Sequence, residues 1–105
     1  MSPSEDLELY LINDGEIYKQ HNAVRVRMLK LIQSKRYDRE LAVQAFEYIA
    51  DAAAKKYTKD LHERGANGSF GRFDKPTRTA VAVSLRDSFE AAERNGELSY
   101  LKEKL

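Results

Sequence analysis

The chain has 105 residues, a formal net charge of +1, ten aromatic side chains and no cysteine. That length suits one domain, 1–105, able to bury roughly 65% of its unfolded surface, and a hydrophobic content of 42% argues against disorder. Without cysteine there is no disulfide, thiolate metal site or Cys nucleophile. The acidic start, Met1-Ser2-Pro3-Ser4-Glu5-Asp6, lacks the apolar core of a signal peptide. No apolar run approaches the roughly 20 residues of a membrane span. The expectation is a cytoplasmic protein without membrane attachment.

A first segment runs from Ser4 to Ile12. Ser4 is its expected cap, Glu5, Asp6 and Glu8 suit a helix start, and Leu7 and Leu11 share a face. A β-hairpin over 7–20 competes with this short helix. Apolar and polar residues alternate from Leu7 to Tyr10, and Asn13-Asp14-Gly15 is a strong turn signal. The next stretch, about 16–34, places Ile17, His21, Val24, Met28, Leu31 and Ile32 on one helical stripe, with Lys19, Arg27 and Lys30 opposite. The clearest helix spans about 38–62. Asp38 caps it, and Ala42, Phe46, Ile49, Ala53, Tyr57 and Leu61 form its apolar stripe. Its alanines favour helix and allow a close neighbour.

Residues 63–73 form a Gly-rich loop containing Phe70 and Phe73, at least one of which should return to the core. A third long helix, about 74–94, opens with Asp74 and Pro76 and ends at Asn95-Gly96. Leu98, Leu101 and Leu105 then recur at helical spacing. The predicted fold is all-α: a small bundle of three main helices with short helices at each end.

Charge is sorted along the chain. Residues 1–16 hold five acids and no Lys or Arg, whereas 17–39 hold seven bases and one acid, Asp38. Part of this pattern is expected to be internal, the acidic segment pairing with the basic helix that follows it. What stays uncovered is available to a partner. The candidate partner-binding residues are Lys19, Arg27 and Lys30 on the second helix and Lys55, Lys56 and Lys59 near the end of the third.

Catalytic signals are weak. There is no His-Glu-x-x-His, Gly-x-Ser-x-Gly or P-loop pattern. His21 reads as a buried, hydrogen-bonded histidine and His62 as a helix-end cation. The carboxylates Asp14, Glu16, Glu47, Asp51 and Asp60 show no ligand spacing. Tyr18, Tyr48 and Tyr57 are expected to bury their rings. No catalytic residue, metal site or cofactor is expected. Seven bases across 17–39 make nucleic-acid contact a competing function, though the overall pI near 7.9 is modest for it.

Four stretches resemble, in order, short and mostly uncharacterised proteins encoded by tailed bacteriophages and prophages. They are Leu9-Tyr10…Asn13-Asp14-Gly15-Glu16-Ile17-Tyr18-Lys19-Gln20, Tyr37-Asp38-Arg39-Glu40-Leu41-Ala42, Ala53-Ala54-Lys55-Lys56-Tyr57-Thr58-Lys59-Asp60, and Thr77-Arg78…Val81-Ala82…Leu85…Phe89-Glu90. Members of that group often carry Pro ahead of the second helix's apolar run, where this chain reads Asn22-Ala23-Val24. The resemblance implies an accessory protein of phage or mobile-element type and carries no activity or site. The sequence thus predicts a binding protein with a protein partner or self-association. A nucleic-acid-associated regulator is the alternative, and an enzyme the remote one.

Overall fold

A computed structural model of the chain describes residues 2–65 and 73–105. Helix α1 spans Pro3–Asn13, α2 Gly15–Gln33, α3 Arg39–Glu63, α4 Lys75–Arg94 and α5 Ser99–Lys102. No strand occurs among the described residues. The hairpin considered over 7–20 is therefore corrected to two helices meeting at Asp14. The residues that looked like a turn act as a helix break. Asp14 turns extended (φ −85°, ψ 121°), and its carboxylate accepts the Ile17 N–H at 3.1 Å, capping α2. Leu7 and Leu11, one turn apart, are both fully buried, which helical phase explains and strand alternation does not.

Among the described residues four helices rather than three are substantial, because α1 runs 11 residues. Its cap is Ser2, not Ser4: Pro3 fits the first helical position, where its missing N–H is no loss, so the helix begins earlier. The remaining boundaries fall within a residue of the expected 16–34, 38–62 and 74–94. Asp38 and Asp74 cap α3 and α4. Gly96, at φ 70°, ends α4 in a left-handed turn, with the Glu97 N–H bonding back to Ala92 O at 2.9 Å. Most of the 63–73 loop, including Phe70, lies outside the described residues.

Helix α3 is the spine. Its 25 residues, at about 1.5 Å each, account for most of the 46 Å long axis. Ion pairs joining Arg39 to Glu90 and Arg78 to Asp51 run in opposite chain order, so α4 lies antiparallel along α3. This is the most extensive helix pair. Ala42, Ala50, Ala53 and Ala54 are fully buried and leave room for close approach. Helix α1 packs on α2, α3 and α4, while α2 packs on α1, α3 and α5.

Phe46, Phe73 and Phe89 are the largest sealed side chains, each worth roughly 1.5–3 kcal/mol of burial. Phe73 is the loop aromatic that returns to the core, lying against Tyr57 with ring centroids 5.3 Å apart. Tyr57 in turn stacks on Tyr10 at 4.3 Å. Tyr48 departs from expectation. It is 70% exposed, because its position falls on the outer stripe of α3 with Leu41, Lys55 and Lys59.

Candidate functional site: an uncompensated basic face and a cleft beside it

Four of the five acids of the N-terminal segment, Asp6, Glu8, Asp14 and Glu16, are engaged by side chains of α3 and α4. Lys56 Nζ reaches Asp14 Oδ1 and Oδ2 at 3.0 and 2.9 Å, and Glu16 Oε2 at 2.9 Å. Glu8 accepts a hydrogen bond from Ser84 at 2.7 Å, and Asp6 one from the Tyr57 hydroxyl at 3.1 Å. The expected pairing of this segment with the basic helix is corrected on this point: among the described residues no basic side chain of α2 pairs with it, and its side-chain partners lie on α3 and α4. The cause is geometric. Helix α1 lies across the C-terminal end of α3 and against α4, so its polar side chains meet those helices and not the outer face of α2.

Lys56 thus holds the α1–α2 junction onto α3. The Lys56 hydrogen bond keeps the Asp14 carboxyl below the usual carboxylate range. A second network ties α3 to α4: Arg39 reaches Glu90 at 3.0 Å and Asp87 at 3.3 Å, and the Tyr37 hydroxyl donates to Glu90 at 2.8 Å. Burial works against ionisation of Glu90, yet hydrogen bonds from Arg39 and Tyr37 hold its carboxyl below the ordinary range.

Lys19, Arg27 and Lys30 stand apart from these networks. All three are exposed, and none lies within ion-pair distance of a carboxylate among the described residues. With Ala23 they follow i, i+4, i+8, i+11 spacing, one outward stripe of α2. The stripe continues to a cation remote in sequence: Lys104 lines a shallow groove of about 390 Å³ together with Lys19, Asn22, Ala23 and Val26. At the far end, Lys35 sits at φ 60°, a left-handed conformation for a non-glycine residue, and Arg36 follows it. Lys55 and Lys59 are exposed on a different helix, on the outer stripe of α3. Of the six candidate residues, the structure groups Lys19, Arg27 and Lys30, sets Lys55 and Lys59 apart, and commits Lys56 internally.

A cleft of about 260 Å³ opens between α2 and α4, which do not pack extensively on each other. His21 and Arg25 line it from α2, Glu8 from α1, Leu85 and Phe89 from α4, and Glu97 from the turn after α4. His21 is 7% exposed, with Phe46 and Tyr18 both edge-on to its ring at 5.9 Å. Burial, aided by the nearby Arg25 charge, pushes its pKa down to about 4, so the imidazole is neutral at neutral pH. Among the described residues the hydrogen bond expected for a buried histidine is not made at Nδ1, which is sealed from solvent. Arg25 extends over the Tyr18 ring, bonds to Asn22 and donates to the Tyr100 hydroxyl at 3.1 Å. Its Nε is also sealed and unpartnered.

No group of three or more His, Asp or Glu side chains among the described residues is arranged to hold a metal ion. No helix there is long and apolar enough to cross a membrane. No family model, curated protein or solved structure matches this chain.

The arrangement offers two kinds of chemistry: a row of solvated cations suited to an acidic surface, and a half-apolar recess with unpaired polar groups. The first was legible from helical phase. For the second, the i, i+4 spacing of His21 and Arg25 was the only local signal, since Glu8 and Glu97 arrive by tertiary packing.

Proposed function

We propose that this protein acts by binding, and that the outer face of α2 is its contact surface for an acidic protein partner. One observation carries the reading. Lys19, Arg27 and Lys30 share one exposed stripe without a carboxylate counter-ion among the described residues, while Lys56, Arg39, Arg78, Arg86 and Lys102 are all paired. Uncompensated cations on one face steer an acidic partner and set its orientation.

A protein is favoured over nucleic acid by the number and spacing of these charges. Lys19, Arg27, Lys30 and Lys104, even with Lys35 and Arg36 at the far end, reach only the lower end of the roughly 6–10 phosphate contacts of a tightly held duplex, and a pI near 7.9 falls below that of a typical nucleic-acid-binding domain. Ala23 and Val26 add apolar area between the cations. On the resemblance of its sequence alone, we infer an accessory protein of phage or mobile-element type; a cytoplasmic setting is in keeping with a chain that has no cysteine.

The test uses the whole chain as bait in extract from its native host, across a salt series. The captured species should be a protein that resists nuclease treatment, is released by moderate salt, and is lost in the variant K19E/R27E/K30E but kept in K55E/K59E. Capture of a nuclease-sensitive species would favour the regulator reading, and capture indifferent to both variants would end the proposal.

A further inference from the structure

We infer that the cleft between α2 and α4 is a binding site for a small zwitterion with an apolar body, a free α-amino acid with an aliphatic side chain being the simplest example. This site is separate from the basic face and does not depend on that reading.

Two polar atoms on the α2 wall of the cleft have no partner among the described residues. A sealed polar atom without a partner carries a desolvation cost of about 1–3 kcal/mol, and two such atoms, His21 Nδ1 and Arg25 Nε, belong to the two residues that line the α2 wall. His21 is more than nine-tenths buried. Arg25 is partly buried and has no carboxylate within ion-pair distance among the described residues, although Glu8 and Glu97 line the same cleft. Opposite charges facing one recess without touching call for something between them. Leu85 and Phe89 supply an apolar wall on the α4 side.

Charge selects the ligand class. With His21 neutral, Glu8, Glu97 and Arg25 sum to one negative charge. A simple carboxylate would satisfy Arg25 but add a second negative charge beside two carboxylates. A simple amine would pair with Glu8 but leave Arg25, which bonds only to the neutral Asn22 and Tyr100 among the described residues, without a counter-charge. A zwitterion pairs its carboxylate with Arg25 and its ammonium with Glu8, leaves the net charge unchanged and lays its aliphatic part on Leu85 and Phe89. The volume of about 260 Å³ lies just below the usual range for pockets that hold drug-sized ligands, as suits a molecule as small as one amino acid.

The chain has only two histidines, so the ring resonances of His21 are directly assignable against exposed His62. The experiment is an NMR titration of the intact protein with leucine, 4-methylpentanoate and isoamylamine at millimolar concentration. Leucine is expected to move the His21 ring signals in a saturable way and leave His62 alone, with the carboxylate-only and amine-only probes at least about tenfold weaker. R25Q should abolish the response and E8Q should weaken it by a similar factor. The comparison of the three probes on the unmodified chain stands even if a variant fails to fold. Silence with all three, an equal response to 4-methylpentanoate, or a leucine response that survives R25Q would overturn the inference.

Discussion

Lys56 donates to both carboxylate oxygens of Asp14, at 3.0 and 2.9 Å, while Asp14 caps α2 by accepting the Ile17 N–H. One carboxylate thus starts a helix, breaks the chain between α1 and α2, and fastens that break to α3. The cap and the ion pair separate by substitution. Asp14→Ala should lower stability by about 1–2 kcal/mol through loss of the cap. Asp14→Asn keeps an accepting oxygen for Ile17 and should retain most of it. Urea midpoints of the two variants measure the difference, and equal losses would show that the charge, not the cap, carries the effect.

His21 predicts a pH dependence of folding. The unfolded chain takes up a proton at the imidazole near pH 6.5, whereas the folded chain resists it until about pH 4. Stability is therefore unaffected by this group above pH 6.5 and falls as pH drops through the window below it, by as much as about 3 kcal/mol at its foot. Asp14 and Glu90, both held below the ordinary carboxylate range, enter only toward the acid end. Chemical denaturation at pH 7 and pH 5 should show the loss, and His21→Met should flatten it. An equally steep fall in that variant would assign the effect to other groups.

Lys35 and Gly96 end their helices in the same way. In each, the left-handed residue's N–H bonds back to the carbonyl three residues earlier, Ile32 for Lys35 and Glu93 for Gly96, and the next N–H bonds to the carbonyl one residue before that, Leu31 for Arg36 and Ala92 for Glu97. Glycine adopts that conformation freely and lysine does not. Lys35→Gly should stabilise by about 0.5–1 kcal/mol, and Gly96→Ala should cost about 1 kcal/mol despite open space for its Cβ. Thermal melts of the two variants should shift in opposite directions. If Lys35 serves the basic face, Lys35→Gly should also weaken partner binding while raising stability.

Helical phase and caps made much of the fold readable. The stripe from Ile17 through Met28, the cap at Asp38 and the stop at Gly96 depend only on neighbours within a turn or two, so they appear in the sequence and recur in the structure. Local signals failed where two of them coincided. Asn13-Asp14-Gly15 suits a hairpin as well as a capped helix break, and only the burial of Leu7 and Leu11 decides between them. Tyr48 was misread because an aromatic ring suggests a core, although its position on α3 points outward. Charge partners were the least legible. Segregation along the chain suggested that neighbouring segments pair, but Lys56 lies 42 residues beyond Asp14 and Lys104 far beyond Lys19. Those meetings are set by how α1 and the C-terminal segment pack, which no local pattern encodes.

The proposed function places partner contact on the outer face of α2. Its most direct test is residue-by-residue NMR mapping of the intact chain titrated with a short poly-glutamate peptide at low salt. Amide shifts should concentrate at Lys19, Ala23, Arg27, Lys30 and Lys104, fade as salt is raised, and be absent in K19E/R27E/K30E. Shifts spread equally over Lys55, Lys59 and Lys75, or no shifts even at the lowest salt, would contradict it.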